Sequence, residues 1–309
     1  MTREPAKKGG GAWGVLLLAH GAPDRLEDIP AFLLKVRGGR KLPDAAVNEI
    51  VRRYSVIGGS PLLRLTTLQA EGLAKLLSHP VYVGMRNWKP FICEALRQIE
   101  ADRIKCVVAL CLAPQNSCTS IGLYKKHLFE EVERLVPDLQ VEFIESWHNH
   151  PGLVEAFREK VATALAQAQA EAGSPVPVIF TAHSVPERTI QGGDLYLREV
   201  RETAALVGKA MGLKDFSVAF QSQGVTSEPW LGPTVESLID HLASCGQRHV
   251  LLAPVGFACD HVETLYDIDV AFREYGKTKG VTVHRSASLN DSPRFIQALA
   301  AIVTERAEA

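Results

Sequence analysis

The chain has 309 residues, 46% of them hydrophobic, and its 34 basic and 35 acidic residues nearly balance. This length exceeds the usual size of a single core, so we expect one large or two linked α/β units. The near-neutral charge argues against nucleic acid as a partner. No apolar run approaches the roughly 20 residues that span a bilayer, so no membrane span is predicted, and only contact with a membrane surface is left open.

Strand and helix patterns alternate from one end of the chain to the other. Residues 1–12 are polar and Gly-rich and lack the apolar centre of a signal peptide, so we predict a flexible tail and a cytoplasmic protein. The predicted strands are 13–20, 81–85, 105–112, 140–146, 177–182, 216–221, 249–253 and 281–285. The predicted helices are 26–37, 44–54, 66–77, one after Pro90, 120–135, 151–170, 194–211, 234–245 and 293–304. This alternation predicts parallel sheets with helices on both faces.

Two of the predicted strands end in the same short sequence. VLLLAHGAPDR begins at Val15 and VIFTAHSVPER begins at Val178, so His20 and His183 each follow a buried apolar run. Ligands of open α/β sheets bind at the carboxyl edge of the strands. We therefore predict two similar halves, 13–150 and 151–309, that face one cleft.

A second polar segment follows a later strand of the second half. Asp260, Glu263 and Asp267 are spaced i, i+3 and i+7, which on a helix places three carboxylates along one stripe. A cation would relieve their repulsion, whereas the alternative is a solvated acidic face at a helix start. Together with His183 they suit a borderline divalent ion such as Fe²⁺ or Co²⁺. His20 is either a second metal contact from the opposite wall or an ordinary strand-end histidine.

Other chemistry lacks its sequence signals. The six cysteines form no CxxC pair, which argues against a disulfide scaffold and gives no support to an iron–sulfur cluster. GxGxxG, GxxxxGK(S/T) and GxSxG are all absent, so nucleotide-binding and α/β-hydrolase interpretations lose their strongest signals. The basic residues between 37 and 53 could receive carboxylates, although a charged surface is the alternative. Aromatic residues in the loops could hold a flat apolar ligand.

Several of these segments resemble the ferrochelatase family, over about residues 13–305. The segments are AHGAPDRLEDIPAFL, RYSVIGGSPL, GMRNWKPFI, LAPQNS, AHSVPER, FQSQGVTSEPWLGP and PVGFACDHVETLYDID, in the family's order. The resemblance implies the chelatase fold, an α/β fold of two similar Rossmann-like domains with parallel sheets flanked by helices. It also implies a lyase-type metal chelatase of haem biosynthesis. Such an enzyme inserts Fe²⁺ into protoporphyrin IX or coproporphyrin III in a cleft between the domains and releases two pyrrole protons.

The matching motifs also imply roles for individual residues. His183 and Glu263 would form the metal site and the catalytic, proton-handling pair, while Asp260 and Asp267 would provide a path for metal entry or proton exit. Residues expected to contact the porphyrin and its propionates are His20, Arg37, Arg53, Tyr54, Ser60 and Tyr124. No cofactor beyond the substrate Fe²⁺ is expected, because the cysteine-rich tail that holds a 2Fe–2S cluster in some relatives is absent. Transient partners in the haem pathway are expected.

Three positions depart from the family pattern. His20 stands where the coproporphyrin branch has Tyr, Gln115 where many relatives have His, and Ala271 where some keep Glu. The change at His20 affects the contact with the product iron, the change at Gln115 affects metal access, and the change at Ala271 weakens the case for a second bound cation. Two other functions stay open: a chelatase for another tetrapyrrole with cobalt or nickel, and a non-catalytic haem or metal carrier with the same fold.

Overall fold

The computed structural model describes residues 13–224 and 226–309, so the predicted tail 1–12 lies outside the described part of the chain. The strands are β1 (Trp13–Ala19), β2 (Val81–Met85), β3 (Cys106–Cys111), β4 (Gln140–Ile144), β5 (Val178–His183), β6 (Ser217–Gln221), β7 (His249–Ala253) and β8 (Thr282–Arg285). The helices are α1 (Ile29–Val36), α2 (Asp44–Val56), α3 (Leu62–Leu77), α4 (Ile92–Ala101), α5 (Ile121–Leu135), α6 (Pro151–Ala172), α7 (Glu187–Gln191), α8 (Tyr196–Ala210), α9 (Val235–Ser244), α10 (Val262–Leu265), α11 (Arg273–Thr278) and α12 (Pro293–Glu308). A 3₁₀ turn (Leu26–Asp28) precedes α1, and a π-helix (Asp267–Phe272) links α10 to α11.

The two halves build four-stranded parallel sheets with the same strand order. The first sheet runs β2-β1-β3-β4 and the second runs β6-β5-β7-β8. Val15 of β1 lies opposite Val81 of β2 and Val108 of β3. Phe180 occupies the corresponding central strand of the second sheet. The predicted α/β fold with two similar parallel sheets is therefore confirmed.

Each sheet is covered on both faces, which explains why the central strands β1 and β3 of the first sheet are continuously apolar. In β1, Val15 and Leu17 face one hydrophobic core, whereas Leu16 and Leu18 face another that includes α4 and α5. Successive side chains of a strand point to opposite faces, so a strand between two helical layers has no position for a polar residue. The first polar side chain of this strand can therefore appear only at its end.

One hydrophobic core is common to both halves. It contains Val15 and Val108 from the first sheet, Phe180 and Leu251 from the second, and apolar residues of α3, α6, α8 and α12. Helix α12 packs on α6 and crosses back to contact α3, β3 and β4 of the first half. The strands of the two sheets fall on either side of residue 150, but the domain boundary predicted there stays a prediction.

Two predicted helix starts differ from the structure by more than two residues. Helix α3 begins at Leu62 instead of residue 66, because Ser60 and Pro61 form its N-terminal turn and Ser60 Oγ accepts the Leu62 N–H at 3.3 Å. The helix predicted from residue 26 begins as a 3₁₀ turn, and its α-helical part starts at Ile29. Among the described residues, no helix has the length and apolar character needed to cross a membrane.

The loop after β7 passes directly over the end of β5. The Gly256 N–H donates to the Thr181 carbonyl oxygen at 3.1 Å. A Cβ on Gly256 would lie 2.5 Å from Ala182 Cβ and 2.7 Å from Ala182 Cα, so only glycine fits this approach. The contact holds the loop that leads to Glu263 against the strand that ends in His183.

Candidate active site

The two repeated histidines lie at equivalent positions in the two sheets. His20 directly follows β1, and His183 is the last residue of β5. The Tyr196 hydroxyl donates to the His183 carbonyl oxygen at 2.9 Å, and the His183 ring pairs through Nδ1 with the Ser184 carbonyl. These contacts leave His183 Nε2 as the ring atom that faces the neighbouring loop.

Glu263 lies between two imidazoles. His183 Nε2 is 3.6 Å from Glu263 Oε1, and His261 Nε2 is 3.7 Å from Glu263 Oε2. His261 is the N-cap of α10, and its backbone N–H donates to Thr264 Oγ1 at 3.0 Å. The Gln221 side-chain amide donates to the Glu263 carbonyl oxygen at 2.7 Å. We call His20, His183, His261 and Glu263 the strand-end site.

The charges of the strand-end site are coupled. The surrounding protein would raise the pKa of Glu263, but His183, His261 and His20 outweigh that effect and lower the pKa to about 2. Desolvation opposes protonation of His261, yet its contact with Glu263 raises its pKa. Desolvation by the nearby protein, helped by the charge of Arg86, lowers the pKa of His20. Glu263 is therefore an anion at neutral pH, available to a cation.

The His183–Glu263 pair has the geometry of a metal site. An ion about 2.1 Å from each atom, the usual distance for imidazole nitrogen and carboxylate oxygen, would span the 3.6 Å separation with an angle of roughly 120°. One imidazole with one carboxylate leaves most coordination positions open. Such a site can pass its ion to another set of ligands, unlike a closed structural site.

Aromatic and basic side chains of the first half lie around His20. The His20 ring contacts Phe32 edge-on, with centroids 5.9 Å apart, and Phe32 contacts Trp88 in the same way at 6.0 Å. Arg86 follows β2 and lies over the Tyr124 ring at 5.4 Å. Burial and, to a smaller extent, the charge of Glu263 raise the pKa of Tyr54. The carboxylate of the second half therefore acts electrostatically on a side chain of the first half.

The six predicted porphyrin contacts lie in different environments. Tyr54 and Tyr124 are buried within hydrophobic clusters, and Ser60 forms the N-terminal turn of α3. Arg37 ends α1, and its Nε is buried with no hydrogen-bond partner in the described part of the chain. Arg53 is half-exposed and lies over the Tyr266 ring at 5.1 Å. His20 belongs to the strand-end site.

The predicted stripe of three carboxylates is wrong. Asp260 precedes α10 and accepts hydrogen bonds from Arg285 at 3.0 Å, Ser288 at 2.7 Å and Asn290 at 2.8 Å. Helix α10 ends after four residues, and the π-helix that follows carries Asp267. Asp267 accepts from Ser222 Oγ and lies 3.7 Å from Arg53 Nη1. Asp267 thus contacts the first half, while Asp260 is bound within the second.

Other residues at the site were not predicted from the sequence. His261 and Gln221 contact Glu263, Tyr196 holds the His183 backbone, and Arg86 acts on His20. His261 and Gln221 fall inside quoted family segments, which is the one signal that could have marked them. Gln115 is buried, and its amide donates to Thr203 Oγ1 at 3.1 Å and to the Val255 carbonyl at 3.2 Å, which ties the two halves together.

Comparison with known proteins identifies the family. A family model described as ferrochelatase matches residues 12–307. A ferrochelatase from Acidobacterium capsulatum is 46% identical over 301 residues, which cover 93% of this chain and 92% of that protein. A coproporphyrin III ferrochelatase from Geobacillus sp. WCH70 is 36% identical over 302 residues, covering 95% and 97%. The chain belongs to the ferrochelatase family.

Membership of the ferrochelatase family confirms three predictions: the resemblance, the lyase-type chelatase activity, and the insertion of ferrous iron into a porphyrin in haem biosynthesis. The fold agrees with solved chelatases as well. The cobalt complex of the sirohydrochlorin chelatase SirB from Bacillus subtilis subspecies spizizenii has a TM-score of 0.61, with 96% of each chain covered. Its sequence is 11% identical, so it bears on the ferrochelatase fold alone.

Proposed function

We propose that the strand-end site is the place of iron insertion, with His183 as proton acceptor and Glu263 as the carboxylate that receives Fe²⁺. The observation that carries this proposal is the 3.6 Å separation between His183 Nε2 and Glu263 Oε1. Fe²⁺ forms four bonds to the ring nitrogens as two pyrrole N–H protons leave, so the reaction needs a base and a transient metal ligand on one face of the ring. An imidazole and an ionised carboxylate meet both needs: once Fe²⁺ has moved from His183 Nε2 to the ring, the freed nitrogen takes one pyrrole proton, releases it to water and takes the other.

Glu263 and His261 have complementary parts in this scheme. Glu263 has a pKa of about 2, so it keeps its negative charge while Fe²⁺ approaches and does not compete for the pyrrole protons. His261 contacts the other carboxylate oxygen and can carry positive charge once the iron has left. When iron leaves, protonated His261 replaces it as the positive partner of Glu263. The carboxylate is therefore not left as an unpaired buried charge, which would be unfavourable in free energy.

The porphyrin would lie between the two halves, with its propionates toward the cations of the first half. Arg37 supports this placement, because its buried Nε lacks an acceptor that a propionate oxygen could supply. Arg53, in α2, has a half-exposed side chain and contacts Asp267 at 3.7 Å. We assign His20, Tyr54, Ser60 and Tyr124 to the walls of the same cleft.

Asp267 is the carboxylate best placed for a proton or metal path. Burial, with a further contribution from Glu263, raises its pKa to about 6, so it can take up and release a proton near neutral pH. The carboxylate of Asp260 has Arg285 and two polar side chains as partners, so we assign it to positioning the loop instead. The path would therefore run past Ser222 and Asp267.

The cofactor, partner and location assignments are part of the same proposal. We infer that the enzyme works without a 2Fe–2S cluster, in the cytoplasm, with transient partners that deliver the porphyrin and the iron. Cys111 and Cys259 are buried in separate hydrophobic clusters, which argues against a shared cluster ligand set. Nucleic acid has no role in this scheme.

The deciding experiment is anaerobic absorbance with Fe²⁺ and either protoporphyrin IX or coproporphyrin III. We expect the enzyme to remove the free-base absorbance bands of one porphyrin with a higher kcat/KM than those of the other. The porphyrin with the higher kcat/KM is the substrate. His183→Ala should abolish the change. Glu263→Gln should lower kcat while porphyrin binding, followed by fluorescence quenching, is retained. His241→Gln is a matched control, because this exposed histidine of α9 lies outside the strand-end site.

Other outcomes separate the alternatives. Tight porphyrin binding without insertion of any metal would indicate a carrier. Insertion of Co²⁺ or Ni²⁺ into a different tetrapyrrole, with neither porphyrin metallated by Fe²⁺, would indicate another chelatase. Wild-type activity in Glu263→Gln would refute the role given to that carboxylate.

A further inference from the structure

Two histidines and a glutamate lie close together on the second sheet, near the start of β7 and away from the strand-end site. His249 is the first residue of β7, and His284 lies in β8, two positions beyond the residue opposite His249. Side chains two positions apart share one face of a strand, so both imidazoles lie on the face that α6 covers. Glu171, in the last turn of α6, completes the cluster.

The distances within the cluster are those of a ligand set. His249 Nδ1 is 3.0 Å from His284 Nε2, the rings are nearly parallel, and one ligand atom from each of the three residues lies within 4.8 Å of the others. An ion about 2.1 Å from both nitrogens would subtend roughly 90° across that 3.0 Å separation. This angle suits six-coordinate or tetragonal ions better than tetrahedral zinc.

The electrostatic surroundings leave the cluster open to a cation. Helix α6 is 22 residues long, and its last turn contains Glu171 but no basic residue, so the negative end of its dipole is uncompensated. Arg273 and Lys277 border the adjoining depression of about 440 Å³, but they pair with Asp269 at 3.0 Å and with Glu274 at 2.6 Å.

The remaining neighbours point the same way. Arg285, the other cation of the depression, is held by Asp260 and Asp269. Burial lowers the pKa of His284 against the opposing charge of Glu171, and His249 and Arg273 add to the lowering, which favours the neutral ring that a metal ion needs.

We propose that His249, His284 and Glu171 form a second site for a borderline divalent transition-metal ion, separate from the strand-end site. Two imidazoles and one carboxylate are ligands that Ni²⁺, Co²⁺ and Fe²⁺ accept, and three further positions stay open to water. In the metal-free chain one ring N–H fills the space between the nitrogens. When the ion binds, the ring that donated moves its proton to its other nitrogen, so both rings stay neutral and two metal–nitrogen bonds replace the hydrogen bond. This site would bind iron without belonging to the insertion chemistry.

The test uses the full-length protein with His183→Ala and Glu263→Gln together, which removes both proposed ligands of the strand-end site, and Ni²⁺ as the probe in titration calorimetry. This double variant is the background of every His183→Ala protein named below. We expect His183→Ala to bind one Ni²⁺. Adding His284→Gln should weaken that binding by about 100-fold, and adding Glu171→Gln by about 10-fold. His127→Gln, at a histidine of α5 that lies outside both sites, serves as the control and should leave Ni²⁺ binding unchanged.

Further measurements guard against misfolding. Ni²⁺ should raise the Tm of His183→Ala but not that of His183→Ala/His284→Gln, because only a bound ion stabilises the fold. His249→Gln offers a second route to the same loss. With His183 intact, His284→Gln should insert iron at the wild-type rate, which separates this site from the proposed active site. If His183→Ala binds no Ni²⁺, or if both glutamine variants bind it as tightly as their parent, the proposal is refuted.

Discussion

Gly256→Ala should damage activity through a residue that touches neither metal nor porphyrin. The new Cβ would lie 2.5 Å and 2.7 Å from Ala182 Cβ and Cα, and carbon atoms pack at about 3.5–4.0 Å, so the two segments must separate by roughly 1 Å. Overpacking of this kind costs about 1–3 kcal/mol of stability. A 1 Å misplacement of catalytic groups can cost about 100-fold in rate, and the displaced segments carry Glu263 and His183.

Two measurements test this reasoning together. Urea unfolding should give a free energy lower by about 1–3 kcal/mol, and kcat for iron insertion should fall by about 10- to 100-fold at constant porphyrin affinity. Gly122→Ala is the matched control, because a Cβ at this position of α5 meets its nearest atoms at 3.7 Å. That variant should be equally active and slightly more stable. A Gly256→Ala enzyme with wild-type kcat, at any stability, would refute the proposed coupling between loop position and chemistry.

Two further predictions follow from contacts around Glu263. Burial raises the pKa of Asp267 from 3.8 to about 6, so the folded protein retains a proton that the unfolded chain releases, and stability should fall as pH rises between these values, by up to about 3 kcal/mol. Asp267→Asn should abolish this slope in urea unfolding across pH 4 to 7; an unchanged slope would contradict the assignment. Gln221→Leu removes the hydrogen bond to the Glu263 carbonyl and should lower kcat about 10-fold with an unchanged KM for porphyrin, whereas a higher KM alone would point to a substrate contact.

The fold could be predicted from the sequence because its signals are local and repeated. The apolar runs before His20 and His183 need two covered sheet faces, and the repeated sequence predicts that both strands occupy the same place in their sheets. The identical strand orders confirm this. The proximity of His183 and Glu263 could be predicted too, because parallel strands place the loops that follow them at one edge.

The fate of Asp260 could not be predicted, because its partner is distant in sequence. Arg285 lies 25 residues further on and reaches Asp260 only once β8 has joined β7. Helical spacing predicted that Asp260, Glu263 and Asp267 share one face. In the structure the helix begins only after His261 and changes to a π-helix at Asp267, so the three side chains point in different directions. The contact between His261 and Glu263 likewise depends on a cap geometry that composition does not reveal.

The core common to both halves makes the molecule mechanically one body. A hinge motion that opened or closed the halves would have to pull Val15 away from the layer it shares with Phe180, and would have to detach α12 from one of the two halves it joins. Each step exposes apolar surface to water, so the walls of the proposed cleft keep a nearly constant spacing. In such a rigid frame we expect the macrocycle to be the component that deforms when iron enters.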